Sequence, residues 1–123
     1  MVASVISIFI FTKKGSVKVT MKAGVFIVLF GEQSFEQALD TVKSAGLQAV
    51  EIGTGAYPGT AHVNAQTILN DEAAIKKIRD AVDSRGLTIS ALSCHGNPLH
   101  PDASMAKAHH DDFVATVQLA EKL

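Results

Sequence analysis

The feature of this sequence that most constrains its fold is a helix-to-strand junction that occurs twice, forty positions apart. SAGL at 44–47 leads into one apolar segment, and SRGL at 84–87 leads into the next. A glycine directly after an amphipathic segment is typical of a helix end, because glycine readily adopts the left-handed conformation needed there. Strands that alternate with helices at this spacing favour parallel βαβ units. The sequence therefore predicts an α/β fold, either a barrel or an open doubly wound sheet.

Three strand-helix units are predicted. The apolar run KAGVFIVLF (22–30) predicts a strand buried on both sides. Ser34 and Gln37 form a capping box for the first helix, which Gly46 ends. The remaining predicted elements are a strand at 49–52, a long loop at 53–70, a helix from Asn70 or Asp71 to Gly86, a strand at 88–93 and a helix from Asp102 or Ser104 to Leu123.

Residues 1–20 differ from the rest, and we expect them to lie outside a domain formed by residues 21–123. Val2–Phe11 is mostly apolar, and the three lysines that follow have no acid among them. The run is about half the ~20 residues of a membrane-spanning helix. A signal peptide would also carry its positive charges first. We therefore expect no membrane association and a cytoplasmic protein, with which the single cysteine agrees.

Charge and motifs narrow the function classes. Eleven basic and twelve acidic residues give a net charge of −1, so we expect no electrostatic capture of nucleic acid. The glycine-rich dinucleotide and P-loop motifs are absent from the sequence, as are H-E-x-x-H and C-x-x-C. The common nucleotide-binding and zinc-binding motifs therefore do not assign a function to this sequence.

Candidate site residues follow the strands, because parallel α/β folds carry their sites at the carboxyl ends of strands. The segment SCHGNPLHP (93–101) supplies His95, Asn97 and His100, which suit proton transfer or hydrogen bonds to hydroxyl groups. His95 is equally consistent with a strand cap, whereas for His100 a solvated loop residue is the favoured interpretation. Strand alternation turns Glu51 toward the interior of a barrel, where it contacts substrate or pairs with a lysine.

Other chemically capable residues favour structural interpretations. Cys94 is expected to be a small core residue, because a nucleophilic thiol needs a base and a lowered pKa. His62 and Asn64 lie in the long loop, where solvent exposure is the simpler expectation. The cluster HHDD (109–112) is expected to form a solvated helix face, since adjacent helix positions diverge by about 100°.

Three segments carry a family resemblance: MKAGVFIVLFG, SFEQALDTVKSAGLQAVEIGTG and GLTISALSCHGNPLHPD. From Met21 to Leu123 the chain resembles the start of sugar phosphate isomerases and epimerases of the xylose isomerase-like TIM barrel superfamily. The resemblance implies the first three βα units of a (β/α)8 barrel that acts on a sugar or cyclitol through an enediolate. It implies substrate contact by His95, with Glu51 and Asn97 as weaker candidates.

The resemblance also implies a divalent metal, Mn, Mg, Co or Zn, held by carboxylate and histidine residues from strands beyond the third. We therefore expect no metal ligands and no catalytic carboxylates in this chain, and no turnover by it alone. A barrel takes about 250 residues, and three units leave an open strand edge. Two alternatives are a multi-zinc abasic-site endonuclease, with His95 as a ligand, and a non-catalytic half-barrel that forms a homo-oligomer through that edge.

Overall fold

A computed structural model of the chain describes residues 21–123, which form a three-stranded sheet with helices packed against it. The prediction that residues 1–20 form an extension falls outside these described residues. The elements in chain order are β1 (Gly24–Phe26), a 3-10 turn (Ile27–Phe30), α1 (Phe35–Ser44), β2 (Ala49–Gly53), α2 (Ala65–Ile68), α3 (Glu72–Asp83), β3 (Thr88–Ser93) and α4 (Ala103–Lys122).

The strands are parallel and lie in the order in which they occur in the chain, β1-β2-β3. Glu51 of β2 is in register with Phe26 on one side and with Ala91 on the other. An irregularity between Val50 and Glu51 shifts the pairing with β3 by one residue. The order differs from the 2-1-3 start of flavodoxin-like sheets. The predicted α/β class, with three consecutive βα units, is confirmed.

The core lies between the sheet and the helices. Val50 and Ile52 of β2 are fully buried, as are Leu39 of α1 and Leu119 of α4. Alternation places Glu51 on the other face of the same strand, where it is only half-buried. One face of β2 is therefore apolar and covered, while the other carries a carboxylate.

Local sequence signals position the helix starts as predicted. Ser34 and Gln37 form the capping box of α1, with both hydrogen bonds present. Asp71 caps α3 by accepting from the Ala74 N–H at 3.0 Å. Asp102 caps α4 by accepting from the N–H groups of Ser104 and Met105. Each cap satisfies backbone donors that the first turn of a helix leaves free.

The repeated junction also has the predicted geometry. Gly46 and Gly86 have φ values of 77° and 65°, which are in the left-handed region. The N–H of the following Leu47 donates to the Val42 carbonyl at 3.3 Å, and that of Leu87 donates to the Val82 carbonyl at 3.2 Å. This bond, from a residue to the one five before it, is typical of the Schellman helix terminus.

Two predicted elements are wrong in extent. The predicted first strand, 22–30, is a strand only over Gly24–Phe26, because Ile27–Phe30 form a 3-10 turn. The Gly31 N–H closes that turn on the Val28 carbonyl at 3.2 Å, and Leu29 is 74% exposed rather than buried. The predicted loop at 53–70 contains the one-turn helix α2. A short apolar run does not by its periodicity distinguish a strand from a helical turn.

Within residues 21–123, every helix is too short or too polar to cross a lipid bilayer.

Candidate functional site

The carboxyl edge of the sheet is formed by the end of β2, the end of β3 and the loops that follow them. We call residues 54–64 the second loop and residues 94–102 the third loop. Backbone bonds hold the second loop against β3 and the third loop: the Thr54 N–H donates to the Ser93 carbonyl, and the Tyr57 N–H donates to the His95 carbonyl, both at 3.0 Å. The two loops therefore form a continuous surface.

Glu51 lies two residues before the end of β2, and its side chain reaches the end of β3. The hydroxyl of Ser93, a buried residue at the end of β3, donates to Glu51 Oε1. Among residues 21–123, no lysine or arginine forms an ion pair with Glu51, so the lysine pairing left open by the sequence is not observed. A half-buried carboxylate with one neutral partner retains free lone pairs. Glu51 can therefore accept hydrogen bonds from the hydroxyl groups of a ligand.

His95 lies at the start of the third loop with an exposed side chain. Its backbone carbonyl accepts from Tyr57, while its imidazole makes no hydrogen bond to another residue of the described range. Both ring nitrogens are thus open to a ligand. Within the described residues, no hydrogen bond supports the interpretation of this side chain as a strand cap.

The other two predicted site residues contribute to loop structure. Asn97 Oδ1 accepts from the Leu99 N–H at 3.0 Å, which stabilises the turn at the tip of the third loop. His100 Nδ1 accepts from the Asp102 N–H at 3.0 Å, directly before α4. His100 is half-buried rather than fully solvated. Both residues keep polar atoms for a ligand, but their observed bonds hold the backbone.

The predicted solvated face at 109–112 is wrong for two of its residues. His109 is half-buried, and its Nδ1 accepts from the Asn97 N–H at 2.9 Å. Its ring lies edge-on against Tyr57, with centroids 5.0 Å apart and planes at 61°. Asp112 is half-buried and accepts from the Ala56 N–H at 2.8 Å and from Gln66 Nε2 at 2.5 Å. Adjacent helix positions do diverge, but the second and third loops cover this part of α4.

A buried pair of hydroxyl groups also connects the second loop to α4. Thr54 is 1% exposed, and its Oγ1 lies 2.9 Å from Thr116 Oγ1 and 3.3 Å from the Ser93 carbonyl oxygen. Ala56 has a positive φ of 52°, which is strained for a residue with a side chain. The bond from its N–H to Asp112 holds this conformation. Sequence alone did not indicate Tyr57, Thr54 or Asp112 as parts of the edge.

The two residues that the sequence singled out in the second loop are both structural. His62 Nε2 lies 3.2 Å from the Gln33 carbonyl oxygen, to which it donates as the Nε2–H tautomer. Asn64 caps α2, with its Oδ1 accepting from the Thr67 N–H at 3.2 Å. Neither is simply solvated, since both are half-buried.

Cys94 is half-buried at the end of β3. Burial is the main cause that raises the pKa of its thiol, and Asp112 adds to the effect. A raised pKa disfavours the thiolate, which agrees with a packing role rather than a nucleophilic one. Cys94 lines a pocket of about 170 Å³ together with Gly96, Pro98, His109, His110 and Phe113.

A divalent metal centre requires several ligand side chains that converge on one point. Among residues 21–123, no three His, Cys, Asp or Glu side chains do so. Glu51 has a serine rather than a second carboxylate or a histidine as its hydrogen-bond partner. The described residues therefore do not by themselves fit the metal that the family resemblance implies.

Comparison with known proteins identifies a relative of unknown activity. Over 90 residues, 73% of this chain, the sequence is 32% identical to the uncharacterized protein YfiH of Bacillus subtilis (strain 168). The chain spans only 28% of the length of that relative, whose name states no activity. No family model matches the chain, and no solved structure matches it significantly.

Proposed function

We infer that this chain is the N-terminal, substrate-contacting part of a metal-dependent sugar or cyclitol isomerase or epimerase of the xylose isomerase-like TIM barrel superfamily, acting in the cytoplasm. The observation that carries this inference is Glu51: a carboxylate on the face of β2 opposite the core, two residues before the carboxyl end of the strand. It is held by the hydroxyl of Ser93 at the end of β3 and is free of any basic partner within residues 21–123.

Position and chemistry support substrate contact. The carboxyl ends of parallel strands are where α/β barrels carry their sites. A carboxylate accepts hydrogen bonds from sugar hydroxyl groups, and charge-assisted bonds of this kind are stronger than neutral ones. The exposed imidazole of His95 follows the neighbouring strand and is able to donate or accept. Glu51 and His95 thus offer complementary groups to a polyhydroxylated ligand.

The role assigned to these residues is binding and orientation. The described residues fit no metal centre, and the resemblance places the metal ligands and catalytic carboxylates beyond the third strand. We therefore expect residues 1–123 to bind sugars without turning them over.

The test compares sugar binding by the wild-type chain, Glu51→Gln and Glu121→Gln. Glu121 is an exposed carboxylate of α4 and serves as the control. Ligand-observed NMR with D-fructose, D-xylose and myo-inositol should give a dissociation constant about tenfold higher for Glu51→Gln, as expected for loss of one charge-assisted bond. The control should bind like the wild type. Equal binding by Glu51→Gln, or no binding by the wild type, would refute the proposal.

A second candidate function is self-association through the outer edge of β3. Within residues 21–123, β3 pairs only with β2, and α4 exposes Phe113 by 55% and Val117 by 53%. Unpaired strand edges and exposed apolar side chains both favour association with another chain. Sedimentation should then show an oligomer that Val117→Glu dissociates. A monomeric wild-type chain at high concentration would exclude this candidate.

A further inference from the structure

Tyr57 is a largely exposed aromatic residue of the second loop, and the proposed function assigns it no role. It is 67% exposed, although aromatic rings usually contribute to stability through burial. It lies in the second loop directly beside His95, to whose carbonyl its own N–H donates at 3.0 Å. An exposed aromatic ring next to the candidate site requires an explanation other than packing.

The backbone around Tyr57 is held firmly. Ala56 has a φ of 52° and Gly59 a φ of 74°, and the Gly59 N–H closes a tight turn on the Ala56 carbonyl at 3.0 Å. Pro58 restricts the conformation of Tyr57 itself. The Ala56 N–H is fixed from outside the loop by Asp112. Strain that surrounding contacts maintain is characteristic of functional segments.

The ring itself is also oriented. His109 contacts it edge-on at a centroid distance of 5.0 Å, and the bond from the Asn97 N–H to His109 Nδ1 fixes the imidazole in turn. Accepting at Nδ1 leaves the proton on Nε2 in the neutral ring. Tyr57 is therefore supported from one side while most of its surface stays open to solvent.

We propose that Tyr57 is a substrate-contacting residue that stacks against the C–H face of a sugar or cyclitol whose hydroxyl groups are bound by Glu51 and His95. This assignment rests on the proposed function. Sugars present polar edges and apolar C–H faces, so a site for them combines hydrogen-bonding groups with an aromatic surface. A ring oriented before binding loses little conformational entropy on binding, which favours affinity.

The chain offers a direct readout, because Tyr57 is its only tyrosine and it contains no tryptophan. Tyrosine emission of the full chain therefore reports on this residue alone. Titration with D-fructose, D-xylose or myo-inositol, up to about 100 mM for weak binders, should change the emission saturably. The midpoint should agree with the dissociation constant from ligand-observed NMR.

Three variants complete the test. Tyr57→Ala should weaken sugar binding about fivefold to tenfold, the usual range for loss of one aromatic contact. Tyr57→Phe keeps the ring and should bind within about twofold of the wild type. Leu99→Ala removes a still more exposed apolar side chain from the third loop, where Leu99 is 89% exposed, and should have no effect.

The outcomes separate this inference from the function on which it rests. Saturable emission changes, together with weak binding by Tyr57→Ala only, would support the stacking role. If NMR detects sugar binding that Tyr57→Ala retains in full and that leaves the emission unchanged, the stacking role is wrong and the proposed function stands. If the wild-type chain binds no sugar, both are wrong.

Discussion

The two edges of the sheet are built in different ways. At the amino edge, the turns before β2 and β3 are short and nearly identical, each with a left-handed glycine and the same backbone hydrogen bond. At the carboxyl edge, the second and third loops are long and unlike each other. Side chains hold them in place, through the Thr54 and Thr116 hydroxyls, the Asp112 carboxylate and the His109 imidazole.

This difference separates locally encoded structure from structure that depends on tertiary contacts, along the same strands. Backbone turns that depend on one glycine are encoded locally and need little else. Loops held by side chains from α4 depend on tertiary structure, and they expose Tyr57 and His95, whereas Glu51 is a half-buried residue of β2. In α/β barrels the amino edge serves stability and the carboxyl edge carries the site. If this division holds here, substitutions at the two edges change the stability of the chain by different amounts.

The largest effect is expected from the buried hydroxyl pair of the carboxyl edge. Thr54→Val keeps the shape of the side chain but leaves the Thr116 hydroxyl and the Ser93 carbonyl without this partner. We expect the free energy of unfolding, measured by urea denaturation, to fall by about 2 kcal/mol, since an unsatisfied buried polar group costs about 1–3 kcal/mol.

The double variant Thr54→Val with Thr116→Val is the control for that interpretation. Replacing both partners by apolar groups of the same shape removes the unsatisfied hydroxyl, so the double variant should lose less than the sum of the two single variants. Strict additivity would show that the two hydroxyls do not act as a pair.

At the amino edge, a smaller loss is expected from Gly46→Ala. A Cβ at Gly46 meets no other atom within 4 Å, so the substitution tests the positive φ of 77° alone. Unfolding free energy should fall by about 1 kcal/mol, the usual cost of a left-handed residue with a side chain. Urea denaturation measures the change.

Ala56→Gly is the matched change at the carboxyl edge, because Ala56 already has a positive φ of 52°. Glycine relieves the strain but gives the unfolded chain more freedom, so these effects should nearly cancel. If Gly46→Ala had no effect while Ala56→Gly stabilised the chain by well over about 1 kcal/mol, the assignment of local stability to the amino edge would be wrong.

The same division explains what sequence could predict. Caps at Ser34, Asp71 and Asp102, and the turns at Gly46 and Gly86, were predicted because each is determined by residues a few positions apart. Glu51 was predicted to turn toward the interior of a barrel, on the side of the strand opposite the helices, because strand alternation is also local.

The features that the sequence did not predict depend mainly on contacts between residues far apart in the chain. Asp112 was predicted to be solvated because nothing near it in sequence reveals that Ala56, fifty-six residues earlier, donates to it. The 3-10 turn after β1 was predicted to be part of the strand because the apolar pattern continues through it. Tyr57 carried one usable signal, an aromatic residue among Gly55, Pro58 and Gly59, which indicates a tight turn that presents a large side chain.

The smallest effect on stability is expected from a charge pair at the amino edge. Arg85, in the turn before β3, donates to Asp40 of α1 at 2.6 Å. The hydrogen bond from the Arg85 guanidinium is the main cause that lowers the pKa of Asp40 below its usual 3.8. A carboxyl group with a lowered pKa in the folded state stabilises the fold above its unfolded pKa, and this contribution is lost as the pH falls through the lowered pKa. Asp40→Asn should therefore flatten the decline of the urea midpoint below about pH 4. It should change little at neutral pH, because both partners contact solvent.

Asp83→Asn is the control, since Asp83 forms no ion pair in the described range, and it should keep the wild-type profile. An unchanged acid profile in Asp40→Asn would mean that the amino edge depends on its glycine turns and not on this pair.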